Sequence, residues 1–217
     1  MRTDRIEKVK EVLRHEFENG RGFDSDWQRY YRLEHSMRVA NIGAYIARKE
    51  GMDEEEMICA CLLHDAAYFR GFKDRQEWVD HGRNSAKIAK PVFESLGFTD
   101  SQVEEMCFGI STHVDEEKDF PRPWTVFERT IRNADDIDRY DVYRLYETLQ
   151  MAHFEEMNLN NKILFLEKRI DLLSNHNPEP AMVTKTAQQL WEDHVAFQVN
   201  FLRRMVKQLD LGKEMPE

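Results

Sequence analysis

Eight histidines stand in the chain, and four of them fall where helical spacing turns them inward. His35 shares a stripe with Val39, Ile42 and Ile46. His64 follows Met57 and Ala60 at spacings of seven and four. His113 closes the series Val103, Met106, Ile110, and His81 heads a stripe through Ser85, Ile88 and Val92. Residues at these spacings meet on one helix face. Asp65 likewise follows Ile58 and Cys61. An imidazole or carboxylate drawn into an apolar interior is costly without a partner, so each must be paired, hydrogen-bonded or metal-bound.

The segment NADDIDRYD supplies further carboxylates, and helical geometry chooses among them. Asp135 continues the stripe of Phe127 and Ile131 and leads to Asp138 and Val142. Asp136 instead shares a face with Arg129 and Arg132 that reads as solvated and salt-bridged. Asp135 is therefore the expected ligand, with Asp138, one turn on, orienting it. Taken singly, a histidine on an apolar stripe reads as a hydrogen-bonded core residue. His15, His153, His176 and His194 keep that reading; His176 lies in a polar breaker and His194 beside Asp193.

Helices must carry all of these residues. The first is expected over 4–18, stopped by Asn19-Gly20. The second runs over 26–50, with Asp26 as N-cap and Gly51 in the usual C′ position. Asp53 and Glu56 form a capping box for a third, ending near His64-Asp65. A fourth covers 81–96. Thr99 with Gln102 opens a fifth reaching 113, and Thr125 with Glu128 a sixth running to 153. Two more follow, over 162–174 and, after the breaker NHNPEPA, over 182–209. No stretch alternates as a strand would, so the fold class is all-α. The irregular segments 66–80 and 114–123 each follow a histidine-bearing helix end, which suits loops over a site.

At 217 residues with 41% hydrophobic side chains, the chain suits one domain with a sizeable core. Thirty-one basic against 41 acidic residues give a net charge of −10, which argues against general nucleic-acid binding. A small phosphorylated substrate is compatible with it, because local cations can reverse the sign inside one pocket. No apolar run nears the roughly 18–20 residues of a membrane span. The opening MRTDRIEKVK lacks the apolar core of a secretory signal, so the expected location is cytoplasmic. Cys59, Cys61 and Cys107 form no CxxC pair and read as reduced core residues. A homo-oligomer stays open.

The order of the motifs adds to this. EHSMRVA, then LLHD with His64 29 residues after His35, then DHGRNSA, ISTHV and NADDID together resemble the HD superfamily of metal-dependent phosphohydrolases. The likeness covers about 30–145. The tail resembles the closing helix of uncharacterised bacterial HD hydrolases of this length, so helices over 162–210 are expected to pack on an HD-domain helical bundle. The resemblance implies that His35, His64, Asp65 and Asp135 hold a divalent metal, with Asp65 and Asp135 the carboxylates of the reaction centre. Asp65 would bridge to a second ion. His81 and His113 match the extra histidines of two-metal subfamilies. Mn, Fe, Ni, Co, Zn or Mg all fit, as one ion or two, since mixed imidazole and carboxylate ligands do not choose among them.

The implied activity is hydrolysis of a small phosphorylated or nucleotide-like substrate by a metal-activated water. Arg38, three residues after His35 on the same face, is the expected contact for substrate phosphate. A salt bridge with Glu34 is the competing reading. The sequence departs from the family at HDAAYFRG, which lacks the lysine or glutamate that some subfamilies carry just downstream. That leaves the protein's own acid or base unassigned. Two other functions stay open: a di-iron oxygenase of the same superfamily, which shares the two extra histidines, and a non-catalytic nucleotide-binding module.

Overall fold

The computed structural model describes residues 2–23, 25–115, 122–176 and 181–213, and no strand occurs among them. The helices are α1 (Arg2–Asn19), α2 (Asp26–Glu50), α3 (Glu54–Leu63), α4 (Ala67–Arg70), α5 (Arg75–Val79), α6 (His81–Ser95), α7 (Asp100–Thr112), α8 (Val126–Arg139), α9 (Val142–Met151), α10 (Leu159–Asn175) and α11 (Lys185–Asp210). A short 3-10 turn spans Phe154–Glu156.

Most boundaries follow from side chains that compete for free backbone groups at helix ends. Thr99 with Gln102 and Thr125 with Glu128 close reciprocal capping boxes. Asp53 accepts from the Glu56 amide, and Gly51 takes the left-handed conformation that ends α2. Several expectations shift. Ser25, not Asp26, caps α2. The helix expected to run to 153 breaks after Arg139, because Asp141 turns its carboxylate onto the Val142 amide and starts α9. Asn158 and Thr184 cap α10 and α11, moving their starts from 162 and 182 to 159 and 185. Segment 66–80, expected as loop, contains α4 and α5. Within 114–123 and NHNPEPA, residues 116–121 and 177–180 lie outside the described residues.

The main core gathers buried faces of α1, α2, α3, α4, α6, α7 and α8, with Met57, Leu62, Phe69, Phe93, Met106, Ile110 and Ile131 among its residues. Each such side chain contributes roughly 1.5–3 kcal/mol by leaving water. The α7–α8 contact needs Gly109, since a Cβ there would lie 2.5 Å from Ile131 Cδ1 and 3.2 Å from Glu128 Cα. Leu145, Leu166, Leu173, Val199 and Leu202 join α9, α10 and α11. Ile46, Ile137, Ala187 and Trp191 then fasten α11 to α2 and α8. His176, at the edge of the polar breaker, stacks on Tyr140 at 4.6 Å and packs beside Trp191. Cys59 and Cys61 are buried and unbridged, and burial pushes the Cys59 thiol up to about 12. No helix among the described residues is long and apolar enough to cross a membrane.

Candidate metal centre

Five helix segments bring their polar residues to one point. His35 projects from the middle of α2, and His64-Asp65 from the turn where α3 ends. His81 opens α6, His113 ends α7, and Asp135 comes from α8. All six are buried. The turn after α3 is held by Ser85, whose Oγ accepts from the Ala67 amide at 3.1 Å. The α6–α7 pair is tight at Gly82: a Cβ there would lie 2.8 Å from Ser111 O and 3.2 Å from His113 Nδ1.

The hydrogen bonds fix which nitrogen of each imidazole faces inward. His64, His81 and His113 each donate from Nδ1 to the carbonyl three residues earlier, Cys61, Trp78 and Ile110, at 2.7 Å in every case. His35 donates from Nδ1 to Asp138 Oδ2, also at 2.7 Å. With Nδ1 committed, Nε2 of a neutral ring is left as a lone-pair donor. Those Nε2 atoms converge on carboxylates. His35 Nε2 lies 3.1 Å from Asp135 Oδ1 and 3.6 Å from Asp65 Oδ2, and His64 Nε2 lies 3.6 Å from Asp65 Oδ2. His81 and His113 Nε2 stand 3.4 Å and 3.6 Å from Asp65 Oδ1.

Lone pairs facing carboxylates in a buried place call for a cation. Asp65 Oδ1 is buried without a hydrogen-bond partner, although a native interior satisfies most such atoms. Two donor groups overlap here, His35–His64–Asp135 and His64–Asp65–His113, each with its ligand atoms within 4.8 Å of one another. The residues therefore fit one divalent ion or a pair. An exposed trio, His153, Glu155 and Glu156, also comes together, but it sits in water and carries no such demand.

The charges agree. Burial alone would raise the Asp65 carboxyl, but His64, Arg32 and His113 outweigh it and hold it well below the usual range. Burial lowers His81 to about 4, against the pull of Asp65, so it is neutral and free to ligate. Burial and the neighbouring Asp135 push Asp136 up to about 6.

Arg38 is placed differently from its expected role. Its guanidinium grips Asp138 through Nε at 2.6 Å and Nη2 at 3.1 Å. The expected Glu34 contact is a weak 4.0 Å, and Arg38 is not among the residues lining the cavity. Asp138, expected to orient Asp135, bonds His35 instead. Asp136, expected on a solvated face, lines the cavity.

That cavity, of about 420 Å³, opens onto the centre and contains residues the sequence reading missed: Arg32, Arg132, Arg139, Arg144, Tyr31, Tyr68 and Trp78. Arg32 donates to Asp65 Oδ2 and lies over the Tyr68 ring at 3.6 Å. It stands three residues before His35, so the face argument applied to Arg38 would have found it. Arg139 lies one turn after Asp135 and is equally legible. Arg144 sits beyond the unforeseen break before α9, where no spacing rule reaches.

The family model of the HD domain matches residues 32–140, half of the chain and the part that carries all six residues. The chain belongs to the HD-domain family. No curated protein matches it. Among solved structures, a predicted HD superfamily hydrolase from an uncultured Thermotogales bacterium superposes with a TM-score of 0.65 at 21% identity, over 93% of this chain and 91% of that one. An HD-superfamily hydrolase from Bacillus thuringiensis gives 0.65 at 18% identity, over 97% and 99%. Bacillus subtilis YpgQ in complex with ADP gives 0.60 at 17% identity, over 95% and 96%. These likenesses extend the shared fold beyond the HD domain into the C-terminal helices.

Proposed function

We propose that this HD-domain protein is a metal-dependent hydrolase of a small phosphorylated, nucleotide-like substrate. One observation carries the reading: four imidazoles, each with Nδ1 already engaged, aim Nε2 at the carboxylates of Asp65 and Asp135. His35, His64, Asp65 and Asp135 would hold one ion, and His81 and His113 with Asp65 a second. An ion held there would lower the pKa of a water toward neutrality and so supply a nucleophile.

The chain's own residues supply the rest. Arg32, Arg132, Arg139 and Arg144 give the cavity the positive potential that a phosphate needs, despite the acidic surface around it. Tyr31, Tyr68 and Trp78 offer flat faces for a planar group. Asp138 orients His35, and Arg38 holds Asp138. The ADP bound by YpgQ, a protein of the same fold, points toward the same class of ligand.

Chelator-stripped protein, reloaded singly with Mn, Fe, Co, Ni, Zn or Mg and assayed against phosphomonoesters, phosphodiesters and nucleotides, tests the reading. Turnover of a phosphate ester that requires metal is expected. The His81–His113 pair equally suits a di-iron oxygenase, which would give oxygen-dependent turnover with two irons and no ester cleavage. Metal retained without turnover of either kind would instead mark a nucleotide-binding module.

A further inference from the structure

The wall of the metal cavity changes character at α5. Arginine, histidine and aspartate line most of it, yet Trp78 and Val79 enter it side by side, and Val114 joins them from the turn after α7. Trp78 is 47% exposed and Val79 41%, so neither is taken up by the core. The three large aromatic rings of the cavity are not equally available. Trp27, Tyr31 and His35 stand one turn apart on α2, and Tyr31 stacks on both neighbours, at interplanar angles of 22° and 7°. Tyr68 carries the Arg32 guanidinium over its ring at 3.6 Å and meets Phe72 and His81 edge-on at 4.9 Å and 5.0 Å. Trp78 meets His81 at 6.3 Å with a tilt of 38°, and among the described residues no other ring packs on it and no cation lies over it. Its backbone carbonyl accepts from His81 Nδ1 at 2.7 Å, which ties the position of the indole to that of the ligand set.

An indole face beside aliphatic side chains, opening on an otherwise charged cavity, suits a planar heterocycle. Every nucleobase has a π-face, and stacking on an aromatic side chain does not depend on which base it is. We propose that Trp78 is the stacking surface for the base of the substrate, with Val79 continuing the apolar wall and the arginines of the same cavity taking the phosphate. The inference rests on the nucleotide reading above and narrows its three aromatic faces to one. It also sets the substrate class: phosphorylated compounds with a heteroaromatic ring, in preference to sugar phosphates without one.

Calorimetric titration of the metal-loaded protein with adenosine and with ribose, which differ by the base alone, tests the subsite. Adenosine should bind about tenfold or more tightly than ribose, the gain expected of one base stacked on an aromatic side chain. Trp78→Leu, which keeps apolar bulk without a ring, should remove that preference, and Trp78→Phe should retain most of it. The variants are compared at equal metal content by elemental analysis, since the carbonyl that holds His81 is unaltered in both. Equal affinity of the wild-type chain for adenosine and ribose overturns the subsite. So does a preference that survives in Trp78→Leu, or a Trp78→Phe chain that prefers adenosine no more than Trp78→Leu does. Neither probe carries a phosphate, so these results leave metal-dependent ester cleavage standing; a chain that cleaves no ester loses instead the reading beneath the inference.

Discussion

His35 Nδ1 donates to Asp138 Oδ2 at 2.7 Å, and Arg38 closes on the same carboxylate from its other side. Tyr31 stacks almost parallel to the His35 ring, at 7°. The imidazole is thereby fixed in tautomer, direction and tilt, with Nε2 toward Asp135. A carboxylate behind a ligating histidine also makes it a stronger donor.

Asp138→Asn keeps the volume and removes the charge. It should weaken metal affinity by about 10–100-fold, measured by competition with a chromogenic chelator, while the circular dichroism stays helical. Affinity equal to the wild type would show that Asp138 does not act through His35.

Arg38→Met separates two roles. If Arg38 works by holding Asp138, this variant should also lose metal affinity, and the double variant with Asp138→Asn should lose less than the two single losses combined. A rise in KM with metal content untouched would return Arg38 to the phosphate-binding role its position in the sequence suggested.

Gly82→Ala would set a methyl 2.8 Å from Ser111 O and 3.0 Å from Ile110 O. Those are backbone atoms, so α6 and α7 must part. A destabilisation of about 1–3 kcal/mol is expected from urea unfolding, with weaker binding of a second ion than of a first because His81 and His113 sit on the two helices. An unchanged midpoint would refute the tight packing.

The candidate ligands were legible because burial and helical period coincide. His35, His64, His81, His113 and Asp135 each continue an apolar stripe, and a stripe needs only the local spacing of three and four. The caps Asp53, Thr99 and Thr125 were legible for the same reason, since their partners lie three residues on, whereas Ser25, Asp141, Asn158 and Thr184 were not. What was hidden depends on contacts between distant segments. Nothing within α2 says that Arg38 meets a carboxylate 100 residues away while Arg32 meets Asp65. The break at Tyr140–Asp141 interrupts no hydrophobic pattern, because Val142 and Leu145 prolong the stripe of α8 closely enough to mask it. Missing that break hid Arg144.

Glu147 is a buried carboxylate whose Oε1 has no hydrogen-bond partner. Burial raises its pKa against the opposing pull of Arg144. A carboxyl whose folded pKa exceeds its unfolded one favours folding when protonated, and that contribution is lost as pH rises through the raised value. Glu147→Gln should therefore gain on the wild type as pH climbs from the ordinary glutamate range toward neutrality. Urea unfolding of both proteins across that range reads the difference. A gap that does not move with pH would mean the carboxyl is not perturbed.

Asp65 contacts more of the centre than any other residue, reaching His35, His64, His81, His113 and Arg32. Metal content by elemental analysis, taken on anaerobically purified wild type and Asp65→Ala together with their rates on a cleaved phosphate ester, is the most direct test. The account predicts that the variant keeps its helical signal and loses both metal and turnover. An Asp65→Ala protein that still turns over at the wild-type rate would contradict it.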